Sequence, residues 1–367
     1  MRRVARVVSL LAIVAIVGAA CSKKTTTTGA ATGTTGGKPG AGIIACEVSD
    51  SGGFDDKSFN QTAHKGVEDA VAKLGVTSKF LESKTDQDYT PNINACLTQN
   101  ADIIVTVGFL LGDATKAAAD ANPDTKFAIV DFAYFDDKGN LVNPPNLEGL
   151  TFSTDQAAFL AGYLSAGVSK SGIIGTFGGI NIPPVTIFMN GFAAGILAYN
   201  KDNGTSVSLL GWDPVKQDGT FTGDFTNQDN GKRIAEQFIG QGADIILPVA
   251  GPVGLGAAAA AEDAGGVMMI GVDTDQFVSA PEFADLWLTS IEKHIDVAVE
   301  TAIEQVVNGD FPGGTNYLGT LENDGVGIAD FHNFDSQVPD DLKSKLDELK
   351  AGIIDGSVSV DPADYAS

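Results

Sequence analysis

The sequence predicts an α/β fold made of two doubly wound, parallel-sheet lobes. Three observations carry that expectation. Short apolar runs alternate with helical patterns, the runs are continuously apolar rather than alternating, and the series restarts part-way along the chain. Continuous apolar strands separated by helices belong to parallel sheets covered on both faces. The body that begins near Ile43 is also more than 300 residues long, whereas single cores stop growing near about 250–300 residues.

The order of elements begins ahead of that body. In "MRRVARVVSLLAIVAIVGAA", Arg2, Arg3 and Arg6 precede an apolar run from Val7 to Val17, then small residues and Cys21. A charged start, a short apolar core and a small-residue exit predict an export signal over residues 1–20. The run is shorter than the about 20 apolar residues that a membrane span needs. A cysteine after small residues resembles the bacterial lipobox, so Cys21 is the expected acylated N-terminus, although Gly18 stands where leucine or valine is commoner. Simple cleavage is the alternative. The Thr/Gly/Ala-rich stretch 21–42 has almost no large apolar residue and reads as a flexible tether, because it cannot offset the entropy of ordering. The expected location is outside the cytoplasm, on the cell membrane, held through the N-terminal lipid only.

The first lobe opens with "GIIACEV", a helix around Gln61–Leu74, then "SKFLES", a helix near Pro91–Gln99 and "ADIIVTVG". A helix around Ala114–Ala121 and "KFAIVDF" follow. The series restarts with the helical "STDQAAFLAGYLSAGVSK", the buried strand "GIIGTFGG" and a helix entered through Pro183 and Pro184. "VSLLGWD", "ADIILPVA" and "VMMIGVD" alternate with helices around Gly231–Gly240 and Gly254–Ala264. "IEKHIDVAVETAIEQVVNG" is an amphipathic helix capped by Gly309. The last helix, "PDDLKSKLDELKAGIIDG", begins with proline and acids and ends with glycine.

Composition narrows the function. A formal net charge of -24 argues against nucleic acid as a partner, since basic patches supply that affinity. With Cys21 acylated, Cys46 and Cys96 remain, either as a disulfide in an oxidising compartment or as two buried thiols. The spacings of metal sites and of nucleophile elbows, zincins or P-loops are absent from the sequence. His64, His294 and His332 are widely spaced and read as surface or packing residues. "GDFTNQDNGK" lacks the EF-hand spacing and reads as a solvated loop. No catalytic residue, metal or cofactor is expected, and the protein is read as a binder rather than an enzyme.

Ligands of open parallel sheets collect at the carboxyl ends of strands. Here those ends carry Asp50, Asp131, Gly178, Gly179, Asp213, Gly251 and Asp273. Each alone could be a turn or a helix cap; together, with aromatics beside them, they predict a ligand cleft.

"DSGGFDDKSFNQ", "FAIVDF", "DQAAFLAGYLSA", "GTFGGINIPPVTIFMNGFAAG", "GWDPVKQDGTFTG", "GADIILPVAGPVG", "GVDTDQ" and "TSIEKHID" resemble, in order, the successive motifs of the basic membrane lipoprotein family. These are nucleoside-binding lipoproteins of bacterial ABC importers. The resemblance runs from about 43 to 356 and implies a type I periplasmic-binding-protein fold, two lobes joined by three crossovers. The implied first lobe is 43–152 with 288–314, the second is 153–287 with 315–356, and 357–367 is a C-terminal tail. A monomer that delivers a purine nucleoside to an ABC permease and ATPase complex is implied.

The resemblance also assigns the ligand-binding residues. Phe59 and Phe188 match the aromatics that stack on either face of a purine, and stacking is worth roughly 1–3 kcal/mol per base. Asn60 and Asp131 match positions that hydrogen-bond the base. Asp50, Asp273 and Lys293 match positions around the ribose, and Gly251 lets the backbone approach the sugar. Read without the resemblance, Phe59 and Phe188 could equally be core, and Lys293 a surface lysine. Asp55 and Asp56 are expected to cap the first helix, and Trp212 to pack between a strand end and the hinge. The competing functions are a sensory receptor, a binder of a sugar or autoinducer-like molecule, and a secreted nucleoside hydrolase.

Overall fold

The structure, a computed structural model, describes residues 37–365; the expected export signal, Cys21 and most of the tether lie outside the described residues. The first lobe is laid down as β1 (Ile44–Val48), α1 (Phe59–Leu74), β2 (Thr77–Leu81), α2 (Tyr89–Thr98), β3 (Ile103–Val107), α3 (Gly112–Ala121), β4 (Lys126–Val130) and β5 (Leu147–Phe152). The chain then crosses over. The second lobe receives α4 (Thr154–Val168), β6 (Ile173–Gly178), α5 (Pro183–Asn203), β7 (Ser208–Leu210) and a hairpin of β8 (Trp212–Asp213) with β9 (Asp218–Gly219). It continues through α6 (Gln228–Gly240), β10 (Ile245–Val249), α7 (Val253–Ala264), β11 (Met268–Asp273), α8 (Gln276–Ser279) and β12 (Trp287–Lys293). A second crossover returns α9 (Ile295–Asn308) and β13 (Asn316–Gly319) to the first lobe, and a third brings β14 (Val326–Ile328) and α10 (Asp340–Asp355) back to the second.

The first sheet has the order β13-β5-β4-β3-β1-β2 and is parallel throughout. The second has the order β14-β12-β11-β10-β6-β7, parallel except for β14, which runs antiparallel to β12. Sequential strand order reverses between β1 and β3 in one sheet and between β6 and β10 in the other. Such reversals leave a crevice at the carboxyl ends of strands, and both carry glycine or aspartate there.

The sheets correct the expected lobe boundaries. Trp287–Lys293 lies in the second sheet beside β11, with Asp273 opposite Glu292, so 288–293 does not belong to the first lobe. Asn316–Gly319 pairs with Gly149–Phe152 in the first sheet, so 315–319 does not belong to the second. Both strands sit next to a crossover, where sequence periodicity carries no information about which sheet a strand will join. The ends are corrected too. Residues 38–42, expected in the flexible tether, form a turn in which Gly40 donates its N–H to Leu74 O at 2.9 Å. The expected tail folds back on the second lobe, where the Tyr365 ring lies 5.8 Å from that of Phe159.

Two details fix the frame. Helices α4 and α5 pack backbone to backbone, since a Cβ on Gly162 would lie 2.1 Å from Phe192 O and one on Gly195 2.0 Å from Phe159 O. A disulfide joins Cys46 on β1 to Cys96 on α2, closing a separation of 50 residues. In the chain-entropy view a loop of that length contributes about 4 kcal/mol by restricting the unfolded chain.

Candidate functional site

The loop from Asp50 to Ser58 connects the end of β1 to α1, and its geometry is set by two carboxylates. Asp56 is buried and accepts the N–H groups of Ser58, Asn60 and Gln61 at 2.9–3.0 Å, satisfying donors that a helix start leaves orphaned. Burial raises its pKa, opposed by those three backbone bonds. Asp55, expected to share this role, is exposed and pairs with Lys57 instead. Asp50 accepts from Asn60 Nδ2 at 2.8 Å and from Gly52 N at 3.3 Å. Its carboxyl is pushed up to about 6, chiefly by burial, with Asn60 and Gly52 opposing.

Asn60 Nδ2 also reaches Asp56 Oδ2 at 3.2 Å. Both amide hydrogens are therefore spoken for by carboxylates, which fixes the orientation of the amide. Its Oδ1 is buried without a hydrogen-bond partner among the described residues. A buried acceptor in that condition costs about 1–3 kcal/mol unless a donor arrives.

Asp131 ends β4 and Asp273 ends β11, both with left-handed backbones, φ 61° and 70°. Aspartate tolerates that region better than most residues, but the conformation is uphill by about 1–3 kcal/mol. Both carboxylates converge on Lys293 at the end of β12, with Nζ 2.7 Å from Asp131 Oδ2 and 2.9 Å from Asp273 Oδ1. The lysine is 2% exposed. Burial disfavours its charge, yet the two carboxylates hold its pKa above the ordinary lysine value. Burial raises the pKa of Asp131, with Lys293 opposing.

The ammonium is also where the two lobes' aromatics meet. Nζ of Lys293 lies 4.7 Å from the ring centroid of Phe59, on α1, and 5.3 Å from that of Phe188, on α5. These separations are within cation–π range. Phe59, Phe188, Asp50, Asn60, Asp131, Gly251, Asp273 and Lys293 all line one narrow cleft between the lobes. Gly251 ends β10 at φ 52° and presents backbone to it. The polar surface offers carboxylates, an amide oxygen and one ammonium, a set that suits hydroxyl and N–H groups flanking a flat ring.

Contacts across the cleft hold the lobes together. Ser58 Oγ lies 2.8 Å from Asp273 Oδ2 and 3.0 Å from Val272 O, and Ser279 Oγ donates to Lys57 O at 2.7 Å. Asp131 to Lys293 is likewise a bond between lobes. Asp131 therefore sits in one cluster with Asp273 and Lys293, and lines the same cleft as Asn60.

Three site residues escaped the sequence reading. Ser58 carries no local signal of its partner in the other lobe, 215 residues away. Gly108, with φ 118° at the end of β3, is required because a Cβ there would lie 2.7 Å from Asp50 Oδ2. Phe225 lines the cavity from "GDFTNQDN", a loop held by Asp224, whose Oδ1 accepts from the N–H of Thr226 and of Asn227. Trp212 packs edge-on to Phe221 and donates Nε1–H to Asn190 Oδ1 at 3.1 Å, outside the cavity lining.

Comparison with known proteins finds relatives along most of the chain. The family model described as ABC transporter substrate-binding protein PnrA-like matches residues 43–361. BmpA of Lactococcus lactis subsp. cremoris, an ABC transporter nucleoside-binding protein, is 32% identical over 343 residues, 89% of this chain and 91% of its own. Basic membrane protein A of Borreliella burgdorferi is 32% identical over 328 residues, 88% and 89% of the two chains. A solved ABC transporter solute-binding protein from Aeropyrum pernix K1 superposes with a TM-score of 0.77 at 27% identity, over 86% of this chain and 92% of that one.

Proposed function

We propose, since this chain belongs to the Bmp family of PnrA-like ABC transporter substrate-binding proteins, that its cleft captures a purine nucleoside for delivery to an ABC importer. The observation that carries the reading is the pair of rings, Phe59 from one lobe and Phe188 from the other, flanking a single buried ammonium. The purine slides between the rings. Asn60 Oδ1, the orphaned acceptor, takes an N–H of the base. Asp131 accepts a further N–H of the base, and the ribose hydroxyls donate to Asp50 and Asp273 and accept from Lys293. A free base leaves those buried charges without new partners, so it binds less well than the nucleoside.

Capture proceeds without a chemical step. Ligand bridges the lobes, favours the closed arrangement in which Ser58 meets Asp273, and the closed form docks on the permease. A ligand shifts such an equilibrium only by its differential affinity for the closed form. The N-terminal signal with Cys21 as lipid anchor, and the monomeric state, belong to the same proposal. Among the described residues no helix is long and apolar enough to cross a membrane.

The test is calorimetry of the purified protein with guanosine, inosine, adenosine and the matching free bases, together with native mass spectrometry for co-purified ligand. Sub-millimolar nucleoside binding with weaker base binding is expected. Equal affinity for adenine and adenosine overturns the ribose assignment, and sustained release of free base from guanosine overturns capture without chemistry.

A further inference from the structure

Glu47 is the charged residue inside the otherwise apolar strand β1, and it is 0% exposed. Its Oε2 lies 2.9 Å from Nδ1 of His64 on α1, and its Oε1 has no hydrogen-bond partner among the described residues. A buried carboxylate held by one imidazole is costly in a core, and the ligand cleft as described makes no use of it.

The other side of the imidazole faces the cleft loop. The ring of His64 stacks on Phe54 at 4.6 Å and 29°, and meets the edge of Phe80 at 4.3 Å. Phe54 sits midway along the loop between Asp50 and Phe59, and its N–H donates to Glu82 Oε1 at 3.1 Å. Asp50 ends the strand that carries Glu47, three residues on, and Asn60 stands one helical turn before His64. The pair is thus joined to the ligand residues through β1, through α1 and through the Phe54 stack.

The ionisable groups that act most strongly on His64 among the described residues are acidic. They are Glu47 from β1, Glu68 on the same helix with Oε1 3.7 Å from Nε2, and Glu82 following β2. The hydrogen bond that His64 donates to Glu47 raises the pKa of His64 above its ordinary value. Burial pushes Glu47 up to about 7, with His64 opposing. Two coupled groups of this kind hold one proton between them near neutrality.

We propose that His64, through Glu47, is a positioning residue for the cleft loop, so that ligand capture is coupled to the proton this pair holds. The proton keeps the imidazole cationic against the face of Phe54 and neutralises the buried carboxylate. Its loss leaves Glu47 charged beside a neutral ring, and Phe54 loses the cation against its face. By reciprocity, ligand binding strengthens the pair's hold on the proton.

The inference rests on the nucleoside reading, and two readouts separate the one from the other. The first is the Kd for guanosine between pH 7 and 9, a limb chosen because Asp50 titrates on the acid side. About a fivefold weakening is expected in the parent, and a flat profile in His64→Gln and in Glu47→Gln. The second needs no ligand: histidine NMR locates the His64 midpoint, and the amide resonances of residues 51–58 should move with it in the parent but not in Glu47→Gln. A pH-independent parent affinity, an alkaline loss that persists in His64→Gln, or loop resonances that ignore the His64 titration each overturns the proposal. If guanosine fails to bind at every pH, the nucleoside reading falls, and loop resonances that follow the His64 titration still sustain the positioning role.

Discussion

Nζ of Lys293 lies 2.7 Å from Oδ2 of Asp131, an ion pair between residues 162 apart in sequence and on different lobes. Lys293 stands at the second crossover, so the pair ties the hinge to the cleft floor. Removing one partner from such a site leaves an uncompensated buried charge, which typically costs about 3–5 kcal/mol. Lys293→Met should therefore lower the unfolding midpoint markedly in thermal and denaturant melts. Adding Asp131→Asn and Asp273→Asn to Lys293→Met should recover most of that stability while nucleoside binding stays lost. Stability that fails to recover would show that Lys293 matters for packing rather than charge.

Phe59→Ala should raise the Kd for guanosine at least tenfold, since stacking on one base face is worth roughly 1–3 kcal/mol. Phe59 is half-buried, so the fold should survive, and circular dichroism can verify it. Phe188 is 2% exposed; Phe188→Leu is the gentler probe and should weaken binding in the same direction. Affinity unchanged in both variants would remove the stacking assignment.

Asp50 should trade stability for function. Its folded pKa of about 6 lies above the value for a free aspartate, so the native state takes up a proton at higher pH than the unfolded chain. Unliganded protein should thus gain stability as pH falls from about 7 towards 4, the sign that follows from linkage. Asp50→Asn should raise the melting temperature at pH 8 by roughly 1–3 °C while weakening ligand binding. A lower melting temperature in that variant would mean that the carboxylate is a structural asset.

Ser58→Ala removes a hydroxyl bond to a carboxylate across the cleft, 2.8 Å long. Hydrogen bonds to charged groups contribute about 1.5–3 kcal/mol. Stopped-flow dissociation of guanosine should speed up by about tenfold, with a smaller change in the association rate. An unchanged dissociation rate would mean that closure does not depend on this bond.

Parts of the site were legible because they lie where local rules apply. Asp50, Asp131, Gly251 and Asp273 end strands, and parallel sheets present those positions to ligand. Asp56 reads as a helix cap from sequence alone and is one. Asp55, next to it, reads the same way and instead pairs with Lys57, while Asp56 takes the N–H groups of the helix start. Glu47 was visible as a charge in an apolar run, but its partner His64 lies 17 residues away and nothing local pairs them. Ser58 and Asp273 are 215 residues apart, and Phe225 sits in a loop whose polar composition disguised its ring.

What the amino-acid order determined by itself was the alternation of strand and helix, the doubling of that series into two lobes, and the polar and aromatic character of the strand ends. Those properties follow from side-chain periodicity and turn chemistry, which act over a few residues. The tertiary structure alone decided which sheet the strands beside the crossovers join, which two carboxylates share Lys293, and which imidazole stands over Glu47. Each is a choice between distant partners, settled by how two packed lobes meet around a narrow gap.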